Sequence, residues 1–249
     1  MIVVSWGAGT NSTAMLVGLK ERGIVPDAIT FADTGGEKPA TYQHIEYMQG
    51  WCKANGFPAI VVVKKGGRQE TLEEECLRRK ALPSIAYGWK TCSQKYKLQP
   101  QEKYFINLPA AKEFWKTGQK ITRLVGFDAD EPQRAREFDD PKYENWYALI
   151  EWGWGRDECI EAIKRAGIPL PGKSACWFCP SSKTSEVRWL SQIHPDFMER
   201  AIAMERNAEL TMVKGLGRSY KWEDVIASDD MFPENYIEID CGCYDGEAA

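Results

Sequence analysis

The sequence predicts an α/β fold: a parallel, twisted sheet with helices on both faces, followed by a mostly helical C-terminal region. Three observations predict it. Short β-rich runs alternate with stretches of helical periodicity over residues 1–126. A glycine-rich turn, Gly7-Ala8-Gly9, joins the first such run to the first such helix. The chain has 249 residues, 43% hydrophobic and 27% charged, which is enough for a sizeable core and unlike a disordered chain.

The elements follow in order. Ile2–Ser5 is β-rich, and Thr13–Lys20 carries apolar residues at helical spacing. Asp27–Ala32 reads as a second strand that ends at Asp33-Thr34-Gly35-Gly36. A helix over Pro39–Ala54 has its proline in the first turn, where a missing N–H is no loss. Ala59–Val63 lacks polar alternation, which predicts a third strand buried on both faces. Ile121–Gly126 is a fourth. Strands separated by helices pair in parallel through right-handed crossovers. Residues 156–167 and 184–210 read as helices. The Pro/Gly stretch Ile168–Lys173 marks a boundary between an α/β domain, residues 1–167, and a cysteine-containing helical region with an acidic tail, residues 168–249.

Charge is unevenly spread. The net charge of −4 conceals a basic segment, residues 64–103 at net +5, and a tail, residues 223–249 at net −9 with no basic residue. The basic segment suits a polyanion such as a nucleotide, or is a solvated helix face. No apolar run approaches the roughly 18 residues of a membrane span, and no basic-then-apolar leader opens the chain. A reducing cytoplasm and no membrane partner are expected. There, 8 cysteines are too few for a disulfide scaffold and point to metal binding or catalysis. His44 and His194 are the only histidines, which argues against a catalytic triad or a histidine-based zinc site.

Two segments carry chemistry by residue type. Gly7, Gly9 and Ser12 lie between a strand and a helix, where backbone amides and hydroxyls suit an anion. No Gly-Lys-Ser/Thr follows, and the third glycine of the dinucleotide fingerprint is missing, so a plain tight turn is the competing reading. Cys176-Trp177-Phe178-Cys179 fits zinc, an iron–sulfur cluster or a redox dithiol. Cys52, Cys76 and Cys159 fall in helical patterns and read as packing residues. Trp146, Trp152 and Trp154 read as core packing, with stacking on a nucleobase as the alternative.

Several of these segments together resemble one superfamily. Ser5-Trp6-Gly7-Ala8-Gly9-Thr10-Asn11-Ser12-Thr13-Ala14 resembles the PP-loop of the adenine nucleotide α-hydrolase-like proteins, which include the N-type ATP pyrophosphatases and the sulfonucleotide (PAPS and APS) reductases. Asp33-Thr34-Gly35 and the Pro39/Thr41/Tyr42 helix start resemble the second motif of that group. Lys90-Thr91-Cys92-Ser93-Gln94-Lys95-Tyr96-Lys97 is similar to the reductases' cysteine-then-lysine segment, and Gly126–Arg134 to their Gly-x-Arg-Ala-Asp-Glu-Ser-x-Arg segment. Cys176-x-x-Cys179 matches their downstream pair.

The resemblance implies a site. Ser5, Gly7, Gly9, Asn11, Ser12, Thr13 and Gly126 would surround the nucleotide's phosphate or sulfate. Asp33 would accept from ribose or the adenine amine, and Lys90, Lys95, Lys97 and Arg134 would clamp the remaining charge. Cys92, Cys176 and Cys179 would hold a [4Fe–4S] cluster, with zinc as the alternative. The tail Asp240-Cys241-Gly242-Cys243 resembles the reductases' Glu-Cys-Gly-Leu-His, with Cys241 as nucleophile; otherwise Cys241 or Cys243 completes the metal site. The implied activity is reduction of PAPS or APS to sulfite with a thioredoxin-like reductant. One alternative is an ATP- and Mg²⁺-using sulfurtransferase that modifies nucleic acid at a three-cysteine cluster. Another is a non-catalytic nucleotide-binding iron–sulfur regulator. A homodimer is compatible with each.

Three positions depart from the pattern. Asn11 stands where the pyrophosphatases carry Asp, Phe127 where Arg is common, and Thr91-Cys92 where cluster-bearing reductases have tandem cysteines.

Overall fold

The computed structural model describes residues 1–67, 70–136 and 139–228. Along the chain run β1 (Ile2–Ser5), α1 (Thr10–Glu21), β2 (Ala28–Asp33), α2 (Pro39–Ala54), β3 (Ile60–Lys64), α3 (Leu72–Arg78), α4 (Thr91–Ser93), α5 (Gln99–Asn107), α6 (Pro109–Lys116), β4 (Ile121–Leu124), β5 (Tyr143–Trp146), α7 (Ala148–Glu151), α8 (Arg156–Arg165), α9 (Thr184–Ile193), α10 (Pro195–Asn207) and α11 (Trp222–Ala227). They fall into two compact units, neither continuous in sequence. The first holds residues 1–32, 39–63 and 99–174; the second holds 33–38, 64–98 and 175–249.

The first unit is built on a five-stranded parallel sheet in the order β3-β2-β1-β4-β5. Val4 lies between Ile29 of β2 and Leu124 of β4, and Leu124 lies beside Trp146 of β5. Neighbouring strand residues feed different cores, because successive side chains point to opposite faces. Val4, Ile29 and Leu124 pack with Met15, Leu16 and Leu19 of α1, Met48 of α2 and Ile163 of α8. Val3, Ala28 and Ile121 pack with Phe105 of α5 and Ala111 of α6. Helices therefore cover both faces, and the architecture is compatible with a Rossmann-like fold.

The chain builds β1, β2 and β3 outward in one direction, then returns to the other side of β1 for β4 and β5. Strand order thus reverses between β1 and β4. In open α/β sheets the crevice outside the carboxyl ends at such a reversal is where ligands sit. The turns leaving these two strands are Trp6–Gly9 and Val125–Phe127.

Three expectations need correction. β3 is an edge strand, not one buried on both faces: Ile60 and Val63 are buried, but Val62 is 45% exposed. Its unbroken apolar run does not distinguish an edge from a centre. Residues 184–210 are not one helix but α9 and α10, broken at His194-Pro195, where proline opens the second helix and disfavours α geometry before it. The fifth strand, Tyr143–Trp146, was not foreseen.

In the second unit α3, α9, α10 and α11 surround Leu72, Tyr96, Trp177, Phe178, Val187, Leu190, Met204 and Trp222. Thr71 and Glu74 close a reciprocal capping box at the start of α3. Glu205 of α10 is buried, and its Oε1 accepts from the backbone N–H of Leu216 at 2.6 Å and Trp222 at 3.2 Å. One carboxylate thereby ties down a segment without regular structure, and burial raises its carboxyl above the usual range. Among the described residues no helix is long and apolar enough to cross a membrane.

Candidate functional site

In the first unit the turn after β1 is shaped by its backbone and by hydroxyls. Ala8 adopts φ +58°, a left-handed conformation unusual for a residue with a side chain. Ser12 Oγ accepts from Gly7 N at 3.2 Å and donates to Gly9 O at 3.2 Å, which closes the turn onto the first helical turn. Ser174 Oγ donates to Gly7 O. Helix α1 begins at Gly9 with no side-chain cap and no acidic residue in its first turn. Its N-terminal amides and partial positive charge therefore face the crevice without a built-in anion. Gly126, leaving β4, fits against this turn: a Cβ there would lie 3.1 Å from Ser12 Cα and 3.2 Å from Ser12 N.

Asn11 is held at both ends. Its Nδ2 donates to Asp128 Oδ2 at 2.7 Å, and its Oδ1 accepts from Arg156 Nη1 at 3.1 Å. Asp128 is 4% exposed, and its Oδ1 accepts from Asp130 N at 3.2 Å. Asp130 Oδ2 in turn accepts from Arg156 N at 2.7 Å, at the start of α8. Gly155 gives this carboxylate room, since a Cβ would lie 2.7 Å from its oxygens. Thr13 is fully buried, and its hydroxyl meets Trp6 Nε1 and His44 Nε2 rather than the crevice. Ser5 ends β1, paired with Thr30 and half-buried.

Phe127, the position where arginine was expected, stacks on Tyr147 with centroids 5.7 Å apart and planes at 11°. The Arg134 guanidinium lies 4.1 Å from the Phe127 ring and pairs with Glu131. The tryptophans take the packing reading: Trp146, Trp152 and Trp154 lie against the sheet core. The Arg22 guanidinium covers Trp152 at 3.9 Å and Trp154 at 5.2 Å.

The second unit carries the Asp33–Lys38 turn, the lysine segment and the cysteines. Asp33 Oδ1 accepts from Gly35 N at 2.7 Å, and its Oδ2 lies 3.2 Å from Lys64 Nζ. It thus shapes its own turn, in which Gly35 at φ +76° packs on Thr71, too close for a Cβ. Gly36 packs equally tightly on Phe178, and its carbonyl accepts from Trp177 N at 2.8 Å. Glu37 is buried, with neither carboxylate oxygen hydrogen-bonded; Lys97 Nζ lies 3.4 Å from Oε1. Gln94–Leu98 is a π-helical turn in which Lys95 and Lys97 are half-buried and Tyr96 is buried. Tyr96 donates to Glu75 Oε2 at 2.6 Å. Burial pushes the Glu75 carboxyl up, but hydrogen bonds from Lys65, Tyr96 and Arg79 outweigh it and bring it down to about 2. Lys90 is exposed.

Cys176 and Cys179 sit in one turn, Cys179 N donating to Cys176 O at 3.0 Å. Thr34 Oγ1 lies 3.2 Å from Cys176 Sγ, and Glu37 and Cys176 form an antiparallel bridge. Burial, reinforced by the Glu37 charge, lifts the Cys176 thiol well above its ordinary value. Cys92 belongs to the same apolar cluster and is half-buried; its N–H donates to Ser84 Oγ at 2.8 Å. The Cys176–Cys179 turn fits two ligands of one centre. Among the described residues, however, no group of three Cys, His, Asp or Glu side chains is gathered to hold a metal ion. The residues thus fit half a site. Cys241 and Cys243 lie outside the described residues. Cys52, Cys76 and Cys159 are buried core residues; burial pushes their thiols to about 11, 12 and 12.

Sequence reasoning did not single out Ser174, Arg156 or Glu37 as functional residues. Glu37 sits inside the Asp-Thr-Gly-Gly-Glu motif, so its buried charge had a sequence signal. Ser174 and Arg156 reach the turn after β1 from 167 and 145 residues away, and no local pattern marks them. No protein-family model matches the chain, and no curated protein matches it.

Proposed function

We propose that the chain is a PP-loop enzyme of sulfur chemistry that seats the phosphate or sulfonate of an adenine nucleotide on the turn between β1 and α1. On this reading it reduces PAPS or APS to sulfite. The observation that carries it is the uncapped start of α1 behind Gly7-Ala8-Gly9, at the point where the strand order reverses. Such a turn offers fixed amide donors to an anion at no reorganisation cost. The contacts of Asn11 favour a sulfonucleotide over Mg·ATP. Its amide and both Asp128 oxygens are already bonded within the protein, so this corner offers a hard cation no spare carboxylate.

In the reaction a cysteine thiolate, Cys241 by resemblance, attacks the sulfonate sulfur. The sulfur–oxygen bond to the phosphate breaks, and the nucleotide leaves as adenosine 3′,5′-bisphosphate from PAPS or AMP from APS. A thioredoxin-type dithiol then attacks the S-sulfocysteine, releasing sulfite and becoming a disulfide in two thiol-exchange steps. Cys92, Cys176 and Cys179 are the proposed holders of an iron–sulfur cluster, which when bound supplies polarisable, electron-rich charge beside the nucleotide.

The test is a substrate comparison. Protein with reduced thioredoxin is given PAPS, APS or ATP, and sulfite and pyrophosphate are measured. Sulfite from PAPS or APS, lost in Cys241→Ser while nucleotide binding persists, supports the reading. Pyrophosphate from ATP without sulfite replaces it with the sulfurtransferase alternative. Binding without either product replaces it with the regulator.

A further inference from the structure

We propose that Arg156 is an anion-binding residue of the β1–α1 turn, and that its clamp with Asn11 and Asp128 lets this turn take its anionic ligand without a divalent cation. This deepens the nucleotide reading above and rests on it for the ligand's identity.

Three observations support the clamp. Asn11 is the second residue of α1, so it stands among the amides that an anion would meet. Its amide is oriented by chemistry, because the carboxylate of Asp128 can only accept and the guanidinium of Arg156 can only donate. The Arg156 head group is therefore fixed 3.1 Å from an atom of the helix's first turn, by the side chain and by its own N–H on Asp130.

The electrostatics follow. A Mg²⁺ ion seeks carboxylate or phosphate oxygens and keeps its waters. Here Asn11 Oδ1 faces a guanidinium, and both oxygens of the 4%-exposed Asp128 are bonded inside the protein. A cation at this place would meet a fixed positive charge and no open carboxylate. The guanidinium is charged at every physiological pH and matches phosphate or sulfonate with a two-pronged fork. An aspartate at position 11 would put two carboxylates where Asn11 Nδ2 and Asp128 Oδ2 now stand 2.7 Å apart, so amide and clamp belong together.

Calorimetric titrations with PAPS, APS, ATP and inorganic pyrophosphate, each in EDTA and in excess Mg²⁺, test this. Affinity for PAPS or APS should differ by less than about twofold between the two conditions. Arg156→Gln should weaken it about tenfold or more, and Arg156→Lys, which keeps the charge but not the fork, by less. Asn11→Asp should make binding depend on Mg²⁺. A tenfold gain with Mg²⁺ in the wild-type protein overturns the proposal, as does wild-type affinity in a folded Arg156→Gln. The Mg²⁺ comparison decides even where that variant fails to fold. If nucleotides fail but pyrophosphate binds in EDTA and is lost in Arg156→Gln, the anion site stands and the nucleotide reading falls. If nothing binds, both fall.

Discussion

Thr13 Oγ1 lies 3.1 Å from His44 Nε2 and 3.3 Å from Trp6 Nε1, in a layer beneath the β1–α1 turn. The indole can only donate, so the threonine hydroxyl accepts from it and passes its own proton toward the imidazole. His44 therefore acts as a neutral acceptor, 5.7 Å from the Trp6 ring centre. The hydroxyl expected to contact phosphate instead braces the turn from below.

Burial lowers His44 from 6.5 to about 4, and this sets a pH dependence. The folded state binds its proton less readily than the unfolded chain. Stability is therefore full above about 6.5 and falls as pH drops toward 4, by about 3 kcal/mol if the whole difference is expressed. Denaturant titrations from pH 7 to pH 4 should show this loss. In His44→Gln, which keeps an acceptor without a titrating ring, the slope should flatten; an unchanged slope would assign it to other groups.

Gly126 should tolerate no side chain. Gly126→Ala places a Cβ 3.1 Å from Ser12 Cα, and backbone rather than a mobile side chain must yield. We expect a loss of stability of about 1–2 kcal/mol and a nucleotide affinity about tenfold lower, from displacement of the Ser12 amide. Calorimetry with thermal unfolding reads both. Wild-type affinity in the alanine variant would mean that the Ser12 amide does not touch ligand.

Glu37 and Lys97 should be strongly coupled. Glu37 is fully buried, its oxygens make no hydrogen bond, and Lys97 Nζ is 3.4 Å away. Lys97→Met should destabilise by about 3–5 kcal/mol, because it leaves a buried charge uncompensated. Glu37→Gln with Lys97→Met should recover most of that loss. A double-mutant cycle with no coupling energy would show that the pair does not govern this turn.

Metal content separates the readings of Cys92, Cys176 and Cys179. Protein purified without oxygen should be brown, with iron and sulfide in equal amounts, and should bleach in Cys176→Ala and Cys179→Ala. Colourless protein with stoichiometric zinc would instead assign the pair to a zinc site.

The first half of the sheet was legible because each of its strands is a compact apolar run ended by glycine or aspartate: Ile2–Ser5 before Gly7, Ala28–Asp33 before Gly35. Helix α2 was legible from Pro39 to Ala54 because proline marks its start and apolar spacing its length. β5 was not, since Tyr143-Glu144-Asn145-Trp146 buries only its tyrosine and lies at the edge of the sheet. At the site, residue types announced the anion-binding turn, but not which hydroxyl faces it. Ser12 and Thr13 are neighbours of similar chemistry; only packing turns one toward Gly7 and Gly9 and the other toward His44. The Asn11–Asp128–Arg156 clamp joins segments 117 and 145 residues apart, a relation that no local pattern carries.

The central claim is that the anionic end of an adenine nucleotide rests on the turn between β1 and α1. Amide hydrogen exchange of the whole protein, measured with and without saturating PAPS or APS, tests it most directly. Protection concentrated on Gly7–Thr13 and Gly126 is the result expected. Protection elsewhere in the chain with this turn unchanged would contradict it.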